Sequence, residues 1–366
     1  MKKILYIVPL ELDKQSGVLK KIRQQYNQWI INGAHVEVVF ISSVIPHFKS
    51  LECERFYIPK KKLPLKFGKF IWRIYSIFHL RKIVSGSEFD VIYYRNVLLF
   101  PFIDIILKKE NAYLELNTID TQEVEQSSFL ISKLYSKYRN LFFSRFKGVI
   151  CVNEDIQKSL RHENTIVIPN GYTFSNSKDM FGSLSCRPKQ FVFVSTPHQY
   201  WQGLDLIVKF ASKLPSYIFN IVGWTEDDFL SEYGRVTVPN NIVFHGYLPE
   251  GKLKSVMNLC GFAINSMALF RKGMNHNSAL KTGLYLNNNL PIISGYKETG
   301  IQSNSIINLN IHDEDCSIEG GLPEILDFIQ FWERRNIDID SVRKGLGIEV
   351  TESQRMSFLM SNIGSN

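Results

Sequence analysis

Long apolar runs are missing from this 366-residue chain. None approaches the ~20 residues that a membrane-spanning helix needs. The apolar start Ile4 to Leu10, behind two lysines, is too short for a secretion signal and fits a first buried strand. Cysteine is scarce and scattered: Cys53, Cys151, Cys186, Cys260 and Cys316 show no metal-ligand spacing and read as thiols of a reducing cytoplasm. No zinc-finger, helix-turn-helix or RNP pattern is present. Nucleic acid is therefore the weakest of three partners that a net charge of +8 invites, the others being an anionic membrane surface and a phosphorylated small molecule. No G-x-G-x-x-G occurs either, so the loop Glu11 to Gly17 has only Ser16-Gly17 to bring backbone and the following helix N-terminus up to an anion, and a plain turn explains that pair as well. Internal repeats and low-complexity tracts are absent.

What is present is alternation. With 45% hydrophobic and 21% charged residues the chain is globular, and its length suits two domains. Strand-length apolar runs at Ile4–Leu10, Val36–Ile41, Phe89–Tyr94, Tyr113–Leu116, Gly148–Val152 and Thr165–Pro169 are separated by helical spacing at 18–30, 67–83 and 129–146. Residues 173–189, rich in Ser, Asn and Lys, read as a linker. A second series follows: strands Phe191–Ser195, Phe219–Gly223, Ile242–His245, Ala263–Asn265 and Pro291–Ser294, with helices at 204–214, 251–260 and 277–286. Two parallel doubly wound sheets are expected, an α/β chain whose ligands collect at the carboxyl ends of the strands. The expected domains are residues 1–172, joined by a C-terminal helix of about 350–366 that crosses back, and residues 190–349.

Four segments carry more than pattern: Val167-Ile168-Pro169-Asn170-Gly171, Trp201-Gln202-Gly203-Leu204-Asp205, Ile221-Val222-Gly223, and Met274 to Lys281 continuing to Tyr285-Leu286 and Leu290 to Ile293. Their order and spacing resemble the family 4 glycosyltransferases, retaining enzymes of the GT-B fold, and among them bacterial polysaccharide-assembly members. The resemblance is strong from Val149 to Ser294 and diffuse before that. It implies two Rossmann-like domains with parallel sheets facing a central cleft. It also implies a nucleoside-diphosphate-sugar donor, a glycan or polyprenyl-phosphate-linked acceptor, no metal, and no cofactor beyond the donor itself. Donor contacts are implied at Gly17, Gln202, Gly223, Asn277, Ser278, Ala279, Leu280 and Lys281, with the helix start near Ser278 aimed at the diphosphate. Read alone, Ser278 is equally a plain N-cap. The segment Glu115-Leu116-Asn117 looks like the family's end-of-strand cleft residues, which makes Asn117 a candidate catalytic group.

The sequence departs from that family where donor charge is handled. Two glutamates with seven residues between them are replaced by His276 and Leu284, and the basic residue before the glycine of the 201–205 segment is replaced by Gln202. Leu284 cannot accept a ribose hydrogen bond. His276, at the position beside the transferred sugar, can donate to a phosphate or sugar oxygen or stand as a solvated loop histidine. Glu298 can substitute for a lost carboxylate or be merely solvated. In the first half, Asp120, Glu123 and Glu125 suit the first turn of a helix. Arg95, at a strand end, can grip an acceptor phosphate or pair with one of those acids, and it is grouped with Ser16 on the acceptor side.

Residues 55–82 interleave Lys60, Lys61, Lys62, Lys66, Lys69, Arg73, Arg81 and Lys82 with aromatics. This suits either an interfacial segment on anionic lipid, at roughly 1 kcal/mol per cation, or a domain helix with a solvated face. Two functions stay open: a hexosyltransferase, retaining by resemblance, building cell-surface polysaccharide such as capsule at the cytoplasmic face of the plasma membrane, or a non-catalytic GT-B protein that supports a partner glycosyltransferase.

Overall fold

A computed structural model of the chain describes residues 1–10, 16–42, 54–57, 78, 80–84, 88–95, 111–125, 129–175, 185–234, 236–302, 305, 307–311 and 318–361. The chain divides into two units: Met1–Gly171 together with Ile348–Asn366, and Tyr172–Gly347.

The first unit is built on seven parallel strands: β1 (Lys3–Pro9), β2 (His35–Ile41), β3 (Glu54–Tyr57), β4 (Val91–Arg95), β5 (Ala112–Leu116), β6 (Gly148–Cys151) and β7 (Thr165–Val167). Their order across the sheet is β3-β2-β1-β4-β5-β6-β7. The strands run apolar without alternation because both faces are covered, as parallel sheets require. Ile4, Tyr6 and Val8 point to one face, packed with Leu19, Ile22, Tyr26 and Trp29 of helix α1 (Gly17–Ile31). Leu5 and Ile7 point to the other, packed with Phe142, Phe143 and Phe146. Helices α2 (Asp120–Glu125), α3 (Phe129–Phe143) and α4 (Glu154–Lys158) fill the later connections. Trp29 is wholly buried, edge-on to Tyr93 at 5.1 Å, and truncating a side chain of that kind costs about 3–5 kcal/mol.

The second unit repeats the plan. Strands β8 (Gln190–Val194), β9 (Ile218–Val222), β10 (Ile242–Phe244), β11 (Phe262–Ile264), β13 (Ile292–Ser294) and β15 (Asn308–Asn310) form a parallel sheet in the order β10-β9-β8-β11-β13-β15. A two-stranded parallel ladder joins β12 (His276–Asn277) to β14 (Lys297–Glu298). The helices are α5 (Leu204–Lys213), α6 (Glu226–Tyr233), α7 (Glu250–Asn258), α8 (Leu280–Asn287), α9 (Ile318–Trp332) and α10 (Ile339–Leu346). Arg187 locks this unit from within. Its guanidinium donates to the carbonyls of Trp332, Gly261, Asn289 and Arg335, and burial pushes its pKa down to about 10.

Helix α11 (Ile348–Ser361) returns to the first unit, where Leu359 joins the core beside α1. The expected helix over 277–286 begins later than its sequence suggests. The backbone at Asn277 is used by the β12–β14 ladder, with Thr299 N–H donating to Asn277 O at 2.7 Å, so the first helical residue is Leu280. Of the expected helix over 67–83, Phe78 and residues 80–83 are described, and Phe78 is half exposed. The basic cluster Lys60 to Arg73 lies outside the described residues. No helix among the described residues is long and apolar enough to cross a membrane.

Candidate functional site

In each sheet the strand order reverses direction at one point, between β1 and β4 in the first unit and between β8 and β11 in the second. Adjacent connections leave such a point on opposite faces, which opens a crevice at the strands' carboxyl ends. Most of the candidate residues stand at these two points.

In the second unit, Gln202 follows β8 and Ser266 follows β11. Gln202 Oε1 accepts from Ser266 Oγ at 2.8 Å and from Lys281 Nζ at 3.1 Å, while its amide donates to Gln199 at 3.0 Å. Lys281 also donates to Val194 O at 3.0 Å and lies over the Phe193 ring at 4.6 Å. Among the described residues its ammonium forms no ion pair, and burial pushes its pKa down to about 7. Gly203, at φ +72°, makes the turn that lets Gln202 O accept from Met267 N–H at 3.0 Å. Gly223, at φ +99°, passes so close to β8 that an added Cβ would lie 1.8 Å from Ser195 O. Asp205 is held by Arg271 through two hydrogen bonds, at 3.0 and 2.6 Å.

Glu298 is not a solvated loop residue. It is buried, and its carboxylate accepts from Ala279 N–H at 3.0 Å, Thr282 Oγ1 at 2.5 Å and Tyr296 Oη at 3.0 Å. Burial pushes the carboxyl up to about 8 against the pull of these three donors and of Lys281. The amide of Ala279, expected to face the donor, thus serves a protein carboxylate. Ala279 is the N-cap residue of α8, with no side chain capping the helix, and Ser278 precedes it, buried. His276 and Asn277 sit in the β12–β14 ladder, half-buried, with Asn277 opposite Glu298. Leu284 packs against the apolar core. Sequence reading missed Ser266, Thr282 and Tyr296. Tyr296 carried a signal, since it lies two residues before Glu298 and so shares its side of an extended segment.

In the first unit, Ser16 caps α1, its hydroxyl accepting from Leu19 N–H at 3.2 Å, and Gly17 opens the helix exposed. Arg95 ends β4 and Asn117 follows β5. Between them lies a buried polar cluster centred on Glu115. Oε1 accepts from Lys21 Nζ at 2.7 Å and Asn117 Nδ2 at 3.0 Å, and Oε2 accepts from Tyr93 Oη at 2.6 Å and Gln25 Nε2 at 3.2 Å. Arg355 of α11 stands 3.4 Å away and pairs with Glu352, which also accepts from Trp29 Nε1 at 2.8 Å. Burial opposes the charge on Glu115, yet Lys21, Arg355 and Arg95 hold its carboxyl well below the usual range. The same burial, with repulsion from the two arginines, brings Lys21 down to about 8. Among the described residues Arg95 has Glu115 beside it, and not Asp120 or Glu123; the side chain of Glu125 lies outside them. Asp120 and Glu123 open α2 as expected, and Asp120 is taken by Arg139 and Tyr135. Lys21 and Gln25 were also missed, although one helical turn apart on the buried stripe of α1 they interrupt an apolar series.

Cys151, Cys186 and Cys260 are free thiols, and no group of three or more His, Cys, Asp or Glu among the described residues is arranged to hold a metal.

No family model and no curated protein sequence matches the chain. Solved structures do. TarM aligns over 98% of this chain and 99% of its own at a TM-score of 0.68 and 11% identity. Anabaena HepE, solved with UDP and glucose, aligns over 99% of this chain and 100% of its own at 0.63 and 14%. The pneumococcal O-GlcNAc transferase GtfA, solved with UDP and GlcNAc, aligns over 100% and 99% at 0.64 and 10%. Together with two parallel sheets of the same strand order, these likenesses define the fold as GT-B, the fold of a large class of glycosyltransferases.

Proposed function

We propose that the chain is a glycosyltransferase that moves a sugar from a nucleoside-diphosphate-sugar to a glycan or lipid-linked acceptor. The observation that supports this most directly is Lys281: a cation without an ion-pair partner among the described residues, held over Gln202 at the switch point of the second sheet. A diphosphate supplies the anion that this ammonium lacks, and a developing phosphate charge on the leaving group is what a preset cation stabilises. Gly223 keeps the neighbouring strand end free of side chain, and Asn277, Ser278 and Leu280 border the α8 start. In this reading His276 contacts the transferred sugar, Glu298 orders the α8 N-terminus, and Asn117 with Ser16 and Arg95 serves the acceptor. The same reading places the protein at the cytoplasmic face of the plasma membrane as a peripheral, hexose-transferring, retaining enzyme of capsule-type polysaccharide assembly that needs no metal. Its basic segment would rest on anionic lipid.

Calorimetry with UDP and GDP tests the donor half; absence of binding by every nucleoside diphosphate ends the proposal. Where one binds, hydrolysis of a nucleotide-sugar panel, with Ser278→Ala and Lys281→Ala as controls, tests turnover. Liposome flotation with Lys60, Lys61 and Lys62 changed to glutamate tests the membrane contact, which fails if wild type and variant float equally.

One observation favours the non-catalytic reading. Leu284, half-buried against the apolar core, has no acceptor to offer, and Glu298 is engaged by three protein donors, so neither leaves a carboxylate for a ribose. Nucleotide binding without turnover on any sugar of the panel would select that reading.

A further inference from the structure

Among the described residues Arg95 is a buried cation whose one charged neighbour, Glu115, is held at a distance too long for a hydrogen bond. Its residue is 7% exposed, and its guanidinium makes no hydrogen bond among the described residues. Glu115, the nearest carboxylate, cannot serve it. That carboxylate already accepts four hydrogen bonds, from Lys21, Asn117, Tyr93 and Gln25, which fills its lone pairs. Arg95 Nε accordingly stands 3.7 Å from Oε1, beyond hydrogen-bond reach.

The charge balance agrees. Lys21, Arg95 and Arg355 face the carboxylates of Glu115 and Glu352, three cations against two anions, all on buried side chains. Arg355 has Glu352 as its own partner, and Lys21 has Glu115 and Asn117. The surplus charge is therefore the one on Arg95. An uncompensated buried guanidinium is costly, and a planar fork of N–H donors is matched by the oxygens of a phosphate or carboxylate. Arg95 ends β4 beside β1, at the point where the first sheet reverses its order, and its side chain keeps 9% exposure, an open edge through which a ligand can arrive.

We propose that Arg95, with Lys21 and Asn117 behind it, forms an oxyanion subsite in the first unit that takes a phosphate ester. That this ester belongs to the sugar acceptor rests on the glycosyltransferase reading; the subsite itself does not.

The test uses the full chain and the variants Arg95→Met and Arg95→Lys, each melted with and without inorganic phosphate, farnesyl phosphate, and vesicles of phosphatidylglycerol or of phosphatidylcholine. The expected result is that phosphate or its ester raises the melting temperature of the wild type, that Arg95→Lys keeps a smaller rise, and that Arg95→Met shows none. Without ligand, Arg95→Met is expected to melt at or above the wild type, because it removes a buried charge that makes no hydrogen bond among the described residues. A response to inorganic or farnesyl phosphate assigns a free ester, and one confined to phosphatidylglycerol vesicles assigns a lipid headgroup. Ligand-free Arg95→Met melting below the wild type would show the guanidinium to be a structural member of the cluster and overturn the subsite. So would responses to every probe that are the same in wild type and Arg95→Met. UDP titration run alongside separates the two ideas: a wild type that shows the Arg95-dependent phosphate response without binding UDP leaves the subsite standing, and one that binds UDP without that response leaves only the donor reading.

Discussion

The ammonium of Lys281 donates to the side-chain oxygen of Gln202 at 3.1 Å, joining the first turn of α8 to the loop after β8. In the sequence these are separate positions, one an implied donor contact and the other the place of a missing basic residue. In the folded chain they are one feature: a neutral amide presents a charge that arrives from a different element.

Replacing Lys281 with methionine is expected to weaken UDP binding roughly ten- to a hundredfold, the range in which charge-assisted hydrogen bonds of about 1.5–3 kcal/mol fall. Burial brings the wild-type ammonium down to about 7, so it loses its proton as pH rises through that value. Wild-type affinity should therefore decline from pH 7 to pH 9, while the methionine variant stays flat. Calorimetry across that range checks both, and a variant with wild-type affinity removes Lys281 from the donor site.

Glu298 gives the opposite sign in stability. Its carboxyl is pushed up to about 8 by burial, whereas the unfolded chain ionises it near pH 4.5. Between those values the unfolded state has lost a proton that the folded state keeps, so this residue's contribution is complete below about pH 4.5 and falls as pH rises. Lys281 acts the other way above pH 7, because its folded form loses a proton that the unfolded form retains. The clean window is pH 5 to 7. There, Glu298→Gln should flatten part of the decline in denaturation midpoint, by at most on the order of 1.4 kcal/mol per pH unit. Parallel wild-type and variant curves would show that the three donors hold Glu298 ionised throughout.

Gly223→Ala should be among the most damaging single-methyl changes in the second unit. It meets both a left-handed backbone angle and a carbonyl 1.8 Å from the new carbon. A loss of about 2–3 kcal/mol or more is expected, read as a lowered urea midpoint. Gly234→Ala is the control: φ is +77° there too, but nothing lies within 4 Å, so any excess loss at Gly223 measures the close approach.

How much of this was legible beforehand depended on distance along the chain. Strands β1, β2, β4, β5 and β6 announced themselves as continuous apolar runs, since burial on both faces leaves a purely local mark. The polar edge strand β15, Asn308–Asn310, left none. The start of α8 was misplaced because the ladder that delays it pairs Asn277 with Glu298, a contact no window of helical spacing contains. Glu298 stayed open between a donor-site carboxylate and a solvated loop residue for the same reason, and its burial is visible only with Tyr296 and Thr282 in place. The pairing of Glu115 with Lys21 spans most of the first unit. Chemistry-bearing residue types were readable one at a time; their partners were not.

Arg187→Met tests a lock that sequence gave no hint of. Its guanidinium is satisfied by four carbonyls from three parts of the second unit, so removal leaves several buried acceptors unpaired at once. A loss on the order of 3 kcal/mol is expected, checked by chemical denaturation. Arg187→Lys should recover only part of it, because one ammonium cannot reproduce the spread of the fork.

Helix α11 gives the molecule an order of assembly. The second unit is one uninterrupted stretch and has all its parts as soon as Gly347 has left the ribosome. The first unit has not: Glu352 and Arg355, which close the polar cluster around Glu115 and seat Trp29, are made only after the whole of the second unit. Strands synthesised first must therefore hold an unfinished interior open while the whole of the second unit forms. For this chain, premature termination shortly before Ile348 would leave the younger half able to fold and the older half without its keystone.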